Sequence, residues 1–383
     1  MKNCLSSLAE IMVGTNSTLD KAQSLTVVLF IPTLGGGGAE RVVVNLANGL
    51  SDYGDRIGIL LLERAGVYFD ELRDPVKLDH LGISSRIGRF LGFPRYISYL
   101  KARRPDVVLV SGHSAFLIAL VGRLFVRHRL LVIVHNTVSS ELGFSRFVAR
   151  WLYRYADKIV AVSNGVAGDI KRYARIPPTK LRTIYNPVNT VRIRELSAHV
   201  PSHRWFKDPS LHIIVAVGSL TAQKNYKFLL QTIAFIKQKN AEVRLLILGE
   251  GHLRGELEDL ISALGIEREV ELIGFVKNPF AYMGRAQRFV LSSSFEGFGM
   301  VIVEALASGA KVVSTDCPSG PSEILEAGRW GMLVPLGDQS KLAAALVGQD
   351  DRFPSVDQAR ERASAFSLEP AVEAYRRAIY GQL

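Results

Sequence analysis

The chain alternates short, almost uninterrupted apolar runs with longer stretches in which apolar residues recur every three or four positions. The first run, residues 25–32 (LTVVLFIP), leads into four glycines and then a helical pattern over 41–50 (RVVVNLANGL). Further runs fall at 57–62, 107–111 and 131–135, and a second series falls at 211–218, 244–248, 271–274, 289–292 and 311–314. A run that is apolar at every position reads as a strand covered on both faces, as in a parallel sheet between helical layers. Strands alternating with helical patterns predict βαβ units. Residues 184–190 (IYNPVNT) gather turn formers around a proline and predict the link between the two series. Residues 369–383 read as a final helix.

At 383 residues the chain exceeds what one core usually organises. The expectation is α/β throughout, with two doubly wound domains facing a central cleft and the ligand at the strand C-termini. The expected division is 1–187, 188–365 and a last segment, 366–383.

Charge refines this picture. The net charge is +11, and it is uneven: residues 1–200 carry 27 Lys and Arg against 15 Asp and Glu, whereas residues 201–383 carry 20 against 21. A basic first half suggests an anionic partner there, and an anionic membrane surface is favoured. No zinc-finger, RRM-like or KH-like pattern is present, so no nucleic acid partner is expected. Cys4 and Cys317 match no metal or redox spacing and suit a reducing cytoplasm. No run reaches the length of a membrane span, the best being 115–121 (AFLIALV), and residues 1–23 carry no convincing secretory signal. The expected location is cytoplasmic, peripheral on the inner face of the cell membrane.

The candidate chemistry centres on residues 292–309, SSSFEGFGMVIVEALASG. Glu304 lies among Val301, Ile302, Val303, Ala305 and Leu306, where an ionised carboxylate costs several kcal/mol unless something hydrogen-bonds it. A ribose diol is a suitable partner. Glu296 precedes the helix, and Phe298, Gly299 and Met300 can aim free N–H groups at an anion. Gly35–Gly38, ahead of Glu40 and Arg41, forms a strand-to-helix turn in which Gly37 and Gly38 allow backbone to approach a phosphate. It does not fit G-x-G-x-x-G in either frame, because the last place falls on Glu40 or Arg41. His135 and His113 both fall at strand ends, where α/β folds bind ligands. Arg146, Arg150 and Arg154 recur at every fourth position of 144–158, predicting one helical stripe with Phe147, Val148, Trp151 and Leu152 on another face. Residues 85–104 interleave arginines with aromatics in the same way.

The two carboxylates, Glu296 and Glu304, resemble the Glu, seven residues, Glu signature of the family 4 retaining glycosyltransferases, which have the two-domain, Rossmann-like glycosyltransferase-B fold. The likeness extends over most of the chain. It implies that Glu296 contacts the hydroxyls of the transferred sugar and Glu304 binds the nucleotide ribose. Lys224, in 215–225 (VAVGSLTAQKN), is implied to contact the donor diphosphate, with Ser219 standing where the family pattern has an arginine. His135 is implied to contact the sugar, and Gly249, Gly251 and Val276 to lie near the base. His113 is assigned to the acceptor side. The stretches GGGGAERVVVNLA and STDCPSGPSEIL resemble enzymes extending polyprenyl-diphosphate-linked oligosaccharides.

The resemblance therefore implies an N-terminal acceptor-binding, membrane-facing domain, a C-terminal domain holding a nucleotide-diphosphate sugar, a UDP-hexose or UDP-N-acetylhexosamine, and a last helix crossing back to the first domain. The acceptor implied is a lipid-diphosphate-linked saccharide. No D-x-D pair is present, so no metal and no other cofactor is expected. A nucleotide-sugar 2-epimerase and a non-catalytic nucleotide-sugar-binding scaffold are the alternatives.

Overall fold

A computed structural model describes residues 24–83, 92–141, 143–174, 176–238, 243–348 and 352–381. The expectations for residues 1–23, Cys4 and the 84–91 portion of the basic cluster lie outside the described residues.

Two all-parallel sheets form the two domains. The first has seven strands in the order β3-β2-β1-β4-β5-β6-β7: β1 Thr26–Ile31, β2 Arg56–Leu61, β3 Lys77–His80, β4 Val107–Ser111, β5 Arg129–Val134, β6 Lys158–Ala161 and β7 Leu181–Thr183. The second has six in the order β10-β9-β8-β11-β12-β13: β8 His212–Val217, β9 Val243–Leu248, β10 Val270–Gly274, β11 Arg288–Leu291, β12 Val312–Thr315 and β13 Met332–Val334. In each sheet the winding reverses beside the first strand, between β1 and β4 and between β8 and β11. The chain ends that leave those strands cannot cover the crevice between them, which is where such folds bind ligands.

Five helices matter for the site: α1 Gly38–Ser51, α2 His113–Gly122, α3 Asn164–Tyr173, α4 Met300–Ser308 and α5 Leu368–Tyr380. α1 buries Val42, Val43, Leu46, Ala47 and Leu50, the stripe a 3.6-residue period puts on one side. α4 differs. It buries Met300, Ile302, Val303, Ala305, Leu306, Ala307 and Ser308, because the Thr190–Ser197, Pro279–Arg285 and Val356–Ser364 helices surround it. α5 lies on α1, where Gly49 leaves room for Val372. Arg129 binds the carbonyls of Ile379 and Ala378 at its C-terminal end.

The strands that the apolar pattern did not predict are β3, β6, β7 and β13. β3 (KLDH) and β7 (LRT) close the edges of the first sheet, where one side is open to polar residues and the apolar run disappears.

Residues 144–158 require a correction. They are not one regular α-helix: a short turn, Gly143–Phe147, passes into a π-helix, Val148–Leu152, and then a 3-10 turn, Tyr153–Tyr155, with β6 beginning at Lys158. The wider π turn breaks the four-residue spacing. It brings Val148, Ala149 and Tyr153 into the core, with Tyr153 edge-on to Phe116 at 4.8 Å. Arg146 is exposed, whereas Arg150 and Arg154 are half-buried beside the rings of Trp151 and Tyr155. Of the residues expected on the other face, Val148 is buried and Phe147 is exposed.

Candidate functional site

The loop after β11 carries Glu296 into the space between the sheets. Its carboxylate, 8% exposed, accepts from Lys224 Nζ at 2.6 Å and from Ser293 Oγ at 2.7 Å. Lys224 reaches it from the turn after β8, which is tied to the same loop: Ser292 Oγ donates to the Lys224 carbonyl at 2.8 Å and Gln223 Nε2 to the Phe295 carbonyl at 3.0 Å. An ion pair this covered is held by its hydrogen bonds as much as by attraction, since desolvation offsets much of the Coulomb gain.

Gly299 starts α4 with φ +88°, a left-handed conformation that costs a glycine little. Glu304 follows on α4 and is half-buried. Burial raises its carboxyl above the ordinary range, Arg41 and Lys224 pull it down, and Glu71 pushes it up. Arg41 comes from α1 in the other domain. It pairs with Glu71 at 3.2 Å and lies 4.4 Å from the centre of the Tyr68 ring. Arg41, Glu71, Glu304, Lys277 and Phe280 line a cavity of about 740 Å³ between the domains. That volume is in the range of small-molecule sites.

His135, at the end of β5, joins this region. Its Nε2 lies 3.0 Å from Ser111 Oγ, and burial lowers its pKa to about 4, so the ring is neutral. Its carbonyl oxygen lies against Gly297, where a Cβ would collide with it. His113 starts α2 and has both ring nitrogens engaged: Nδ1 with the Tyr153 hydroxyl at 2.8 Å, Nε2 with Glu141 at 3.2 Å.

The glycine loop spans the two domains. A Cβ at Gly36 would touch Phe275, and one at Gly38 would touch Met300. The Glu40 carboxylate folds back beside Gly37 and accepts from its own backbone N–H, so an anion already covers this helix start. Gly249 and Gly251 serve a close approach, since side chains there would strike the backbone of Gly218 and Leu220. Ser219 is exposed and Val276 half-buried on the neighbouring turns. Phe298 and Met300 are buried beside Glu296.

Arg146, Arg150 and Arg154 belong to the segment after His135 rather than to this cluster. Among the described residues no group of three or more His, Cys, Asp and Glu is gathered as a metal site would require.

Four residues went unread in the sequence: Ser293 and Arg41 in the site, and Ser163 and Glu323 where the domains meet, Ser163 Oγ donating to the Gly297 carbonyl and Glu323 accepting from the Asn164 and Gly165 N–H groups. Ser163 carried a signal, a serine just ahead of a helical pattern, which marks an N-cap. Ser293 acts only three residues from Glu296, whereas Arg41 and Glu323 act across long sequence separations.

Known proteins resemble this chain in sequence and in fold. Residues 36–192 match the family described as Glycosyltransferase Family 4, and residues 212–348 match Glycosyl transferases group 1. The chain is 31% identical over 354 residues to the N-acetylgalactosamine-N,N'-diacetylbacillosaminyl-diphospho-undecaprenol 4-alpha-N-acetylgalactosaminyltransferase of Campylobacter jejuni, covering 88% of this chain and 94% of that protein. It is 25% identical over 360 residues to a second C. jejuni enzyme, a GalNAc-alpha-(1->4)-GalNAc-alpha-(1->3)-diNAcBac-PP-undecaprenol alpha-1,4-N-acetyl-D-galactosaminyltransferase, covering 90% and 95%. Among solved structures, Anabaena HepE with UDP and glucose superposes with a TM-score of 0.77 at 19% identity, covering 93% of this chain and all of that one. The lipopolysaccharide outer core galactosyltransferase WaaB superposes at 0.70 with 20% identity, covering 94% and 100%.

Proposed function

The chain belongs to the family 4 glycosyltransferases, with the glycosyltransferase-B fold, and on that premise we propose that it moves a hexose or N-acetylhexosamine from a UDP-sugar to a lipid-diphosphate-linked saccharide in bacterial surface glycan or glycoprotein assembly. The observation that carries this reading is the covered Lys224–Glu296 pair in the loop just ahead of α4, with Glu304 in the second turn of that helix. Support for the acceptor comes from the two C. jejuni relatives, whose names specify undecaprenol-linked saccharides.

In this reading the C-terminal domain holds the donor. Glu304 accepts from the ribose hydroxyls, and the N–H groups at Phe298, Gly299 and Met300 face the diphosphate. Lys224 turns from Glu296 to the leaving phosphate, whose charge grows as the sugar C1–O bond breaks. Glu296 is then free to accept from the sugar hydroxyls. The acceptor hydroxyl bonds to C1 on the face the phosphate leaves, as family retention requires, and its proton passes to the departing phosphate oxygen. Neutral His135, oriented by Ser111, contacts the sugar without adding charge. His113, engaged by Tyr153 and Glu141, shapes the acceptor side.

The N-terminal domain faces the membrane in this proposal. Among the described residues no helix is long and apolar enough to cross one. The domain instead exposes Phe144 and Phe147 beside Arg146, and Leu124 and Phe125 beside Arg127. Apolar rings next to cations suit the boundary of an anionic bilayer at the cytoplasmic face.

The experiment is a panel of UDP-sugars incubated with and without an undecaprenol-diphosphate-linked saccharide, the lipid product read by mass and the donor, whose epimer has the same mass, by chromatographic retention. A product heavier by one sugar residue with release of UDP is expected. Conversion of free UDP-sugar without acceptor would make the protein an epimerase, and donor binding without product would make it a scaffold.

A further inference from the structure

The loop that carries Glu296 is held by the opposite domain. Ser163, fully buried ahead of α3, donates its hydroxyl to the Gly297 carbonyl at 2.6 Å while accepting from the Val166 N–H at 3.1 Å. In return, Glu323 of the C-terminal domain accepts from the first two N–H groups of α3, Asn164 at 2.9 Å and Gly165 at 2.6 Å. The carboxylate thus sits at the positive end of that helix and satisfies donors left free by its geometry. Gly165 has no room for a side chain because Ser319 lies against it.

A third connection reaches the link between the domains. The Tyr185 hydroxyl donates to Glu323 at 3.2 Å, and its ring lies 5.5 Å from Phe298 and 5.3 Å from Phe366. Phe298 and Phe366 are themselves 5.4 Å apart. The link, the segment crossing back to the first domain and the Glu296 loop therefore meet in one aromatic cluster. α3 moves with the first sheet and the Glu296 loop with the second, so separating the domains breaks the Ser163 and Glu323 contacts together.

We propose that Ser163 and Glu323 are positioning residues: they make domain closure a condition for the catalytic geometry of Glu296, by fixing the Gly297 carbonyl from the far side of the cleft. The inference rests on the transferase reading above. Neither residue contributes to the donor site itself, which lies within the C-terminal domain. Their loss separates binding from turnover, and residues that merely held the fold together would not.

Ser163→Ala and Glu323→Ala test this by UDP titration calorimetry, turnover of the UDP-sugar the wild type accepts, and small-angle scattering. The expected result is wild-type UDP affinity with kcat lowered about a hundredfold, as a displacement near 1 Å at a reacting centre produces. Ligand-free Glu323→Ala should scatter as a more open particle than the wild type. Unchanged kcat in both variants, or a kcat loss matched by an equal loss of UDP affinity, would overturn the proposal. Wild-type protein that fails to bind UDP would remove the donor assignment instead, and the scattering comparison would still decide the latch, an unopened Glu323→Ala particle counting against it.

Discussion

Lys224 Nζ lies 2.6 Å from Glu296 Oε1, so the cation and the carboxylate assigned to phosphate and sugar in the proposed reaction stand side by side. Ser293 Oγ, 2.7 Å from the same carboxylate oxygen, fixes the carboxyl's orientation.

Glu296→Gln and Lys224→Ala should each lower turnover by about 10²–10³-fold, a barrier increase of roughly 2–4 kcal/mol. The double variant should lose less than the product of the two, because both singles disrupt one shared interaction. A double-mutant cycle on kcat/KM checks it, and strict multiplicativity would show that the pair does not work as a unit.

Glu304→Ala should raise donor KM more than it lowers kcat, since a ribose contact is nearly the same in ground and transition states. Stability gives an independent readout. The folded carboxyl lies above its ordinary 4.5, so the folded state holds the proton more tightly and stability declines as pH rises from about that value through the folded one. Glu304→Gln should therefore melt higher than the wild type near neutrality and lose that margin under acid conditions.

His135 has the opposite sign. Burial holds it at about 4 against an ordinary 6.5, so between these values the unfolded chain binds more protons and stability falls as pH drops. His135→Gln should flatten that acid slope in urea unfolding across the same window. An unchanged slope would place the acid sensitivity elsewhere.

Tyr380 on α5 donates to Asp55 at 2.6 Å, and Arg376 lies near the same buried carboxylate. Tyr380→Phe should destabilise the protein by about 1.5–3 kcal/mol by removing a hydrogen bond to a charged group, Asp55 Oδ1 keeping only the Leu25 N–H at 3.1 Å. Chemical denaturation measures this directly.

Membrane contact predicts that Phe144→Ser with Phe147→Ser weakens pelleting with anionic vesicles at all salt concentrations. Changing Arg146, Arg150 and Arg154 to Gln should weaken it at low salt, each residue near the surface adding about 1 kcal/mol at most. The half-buried Arg150 and Arg154 should matter less than Arg146. Equal pelleting of both variants and wild type would reject this surface.

The sequence by itself determined the fold class, the two-fold repetition of a parallel sheet, and the Glu296–Glu304 spacing, because these depend on local periodicity and on neighbours along the chain. β1, β4 and β8 were legible as apolar runs for the same reason. The edge strands β3 and β7 were not, because their residues are chosen by position in the sheet. The 144–158 segment misled for a related reason: its regular arginine spacing is local, but burial of Tyr153 against Phe116 set the backbone and opened a π turn. Only the tertiary structure decided that Lys224 meets Glu296, that Arg41 approaches Glu304, and that Ser163 and Glu323 join the domains at the Glu296 loop. Each of these contacts brings together groups far apart in the chain, and which pairs form is decided by the energy of burying polar groups together, a quantity no local pattern records.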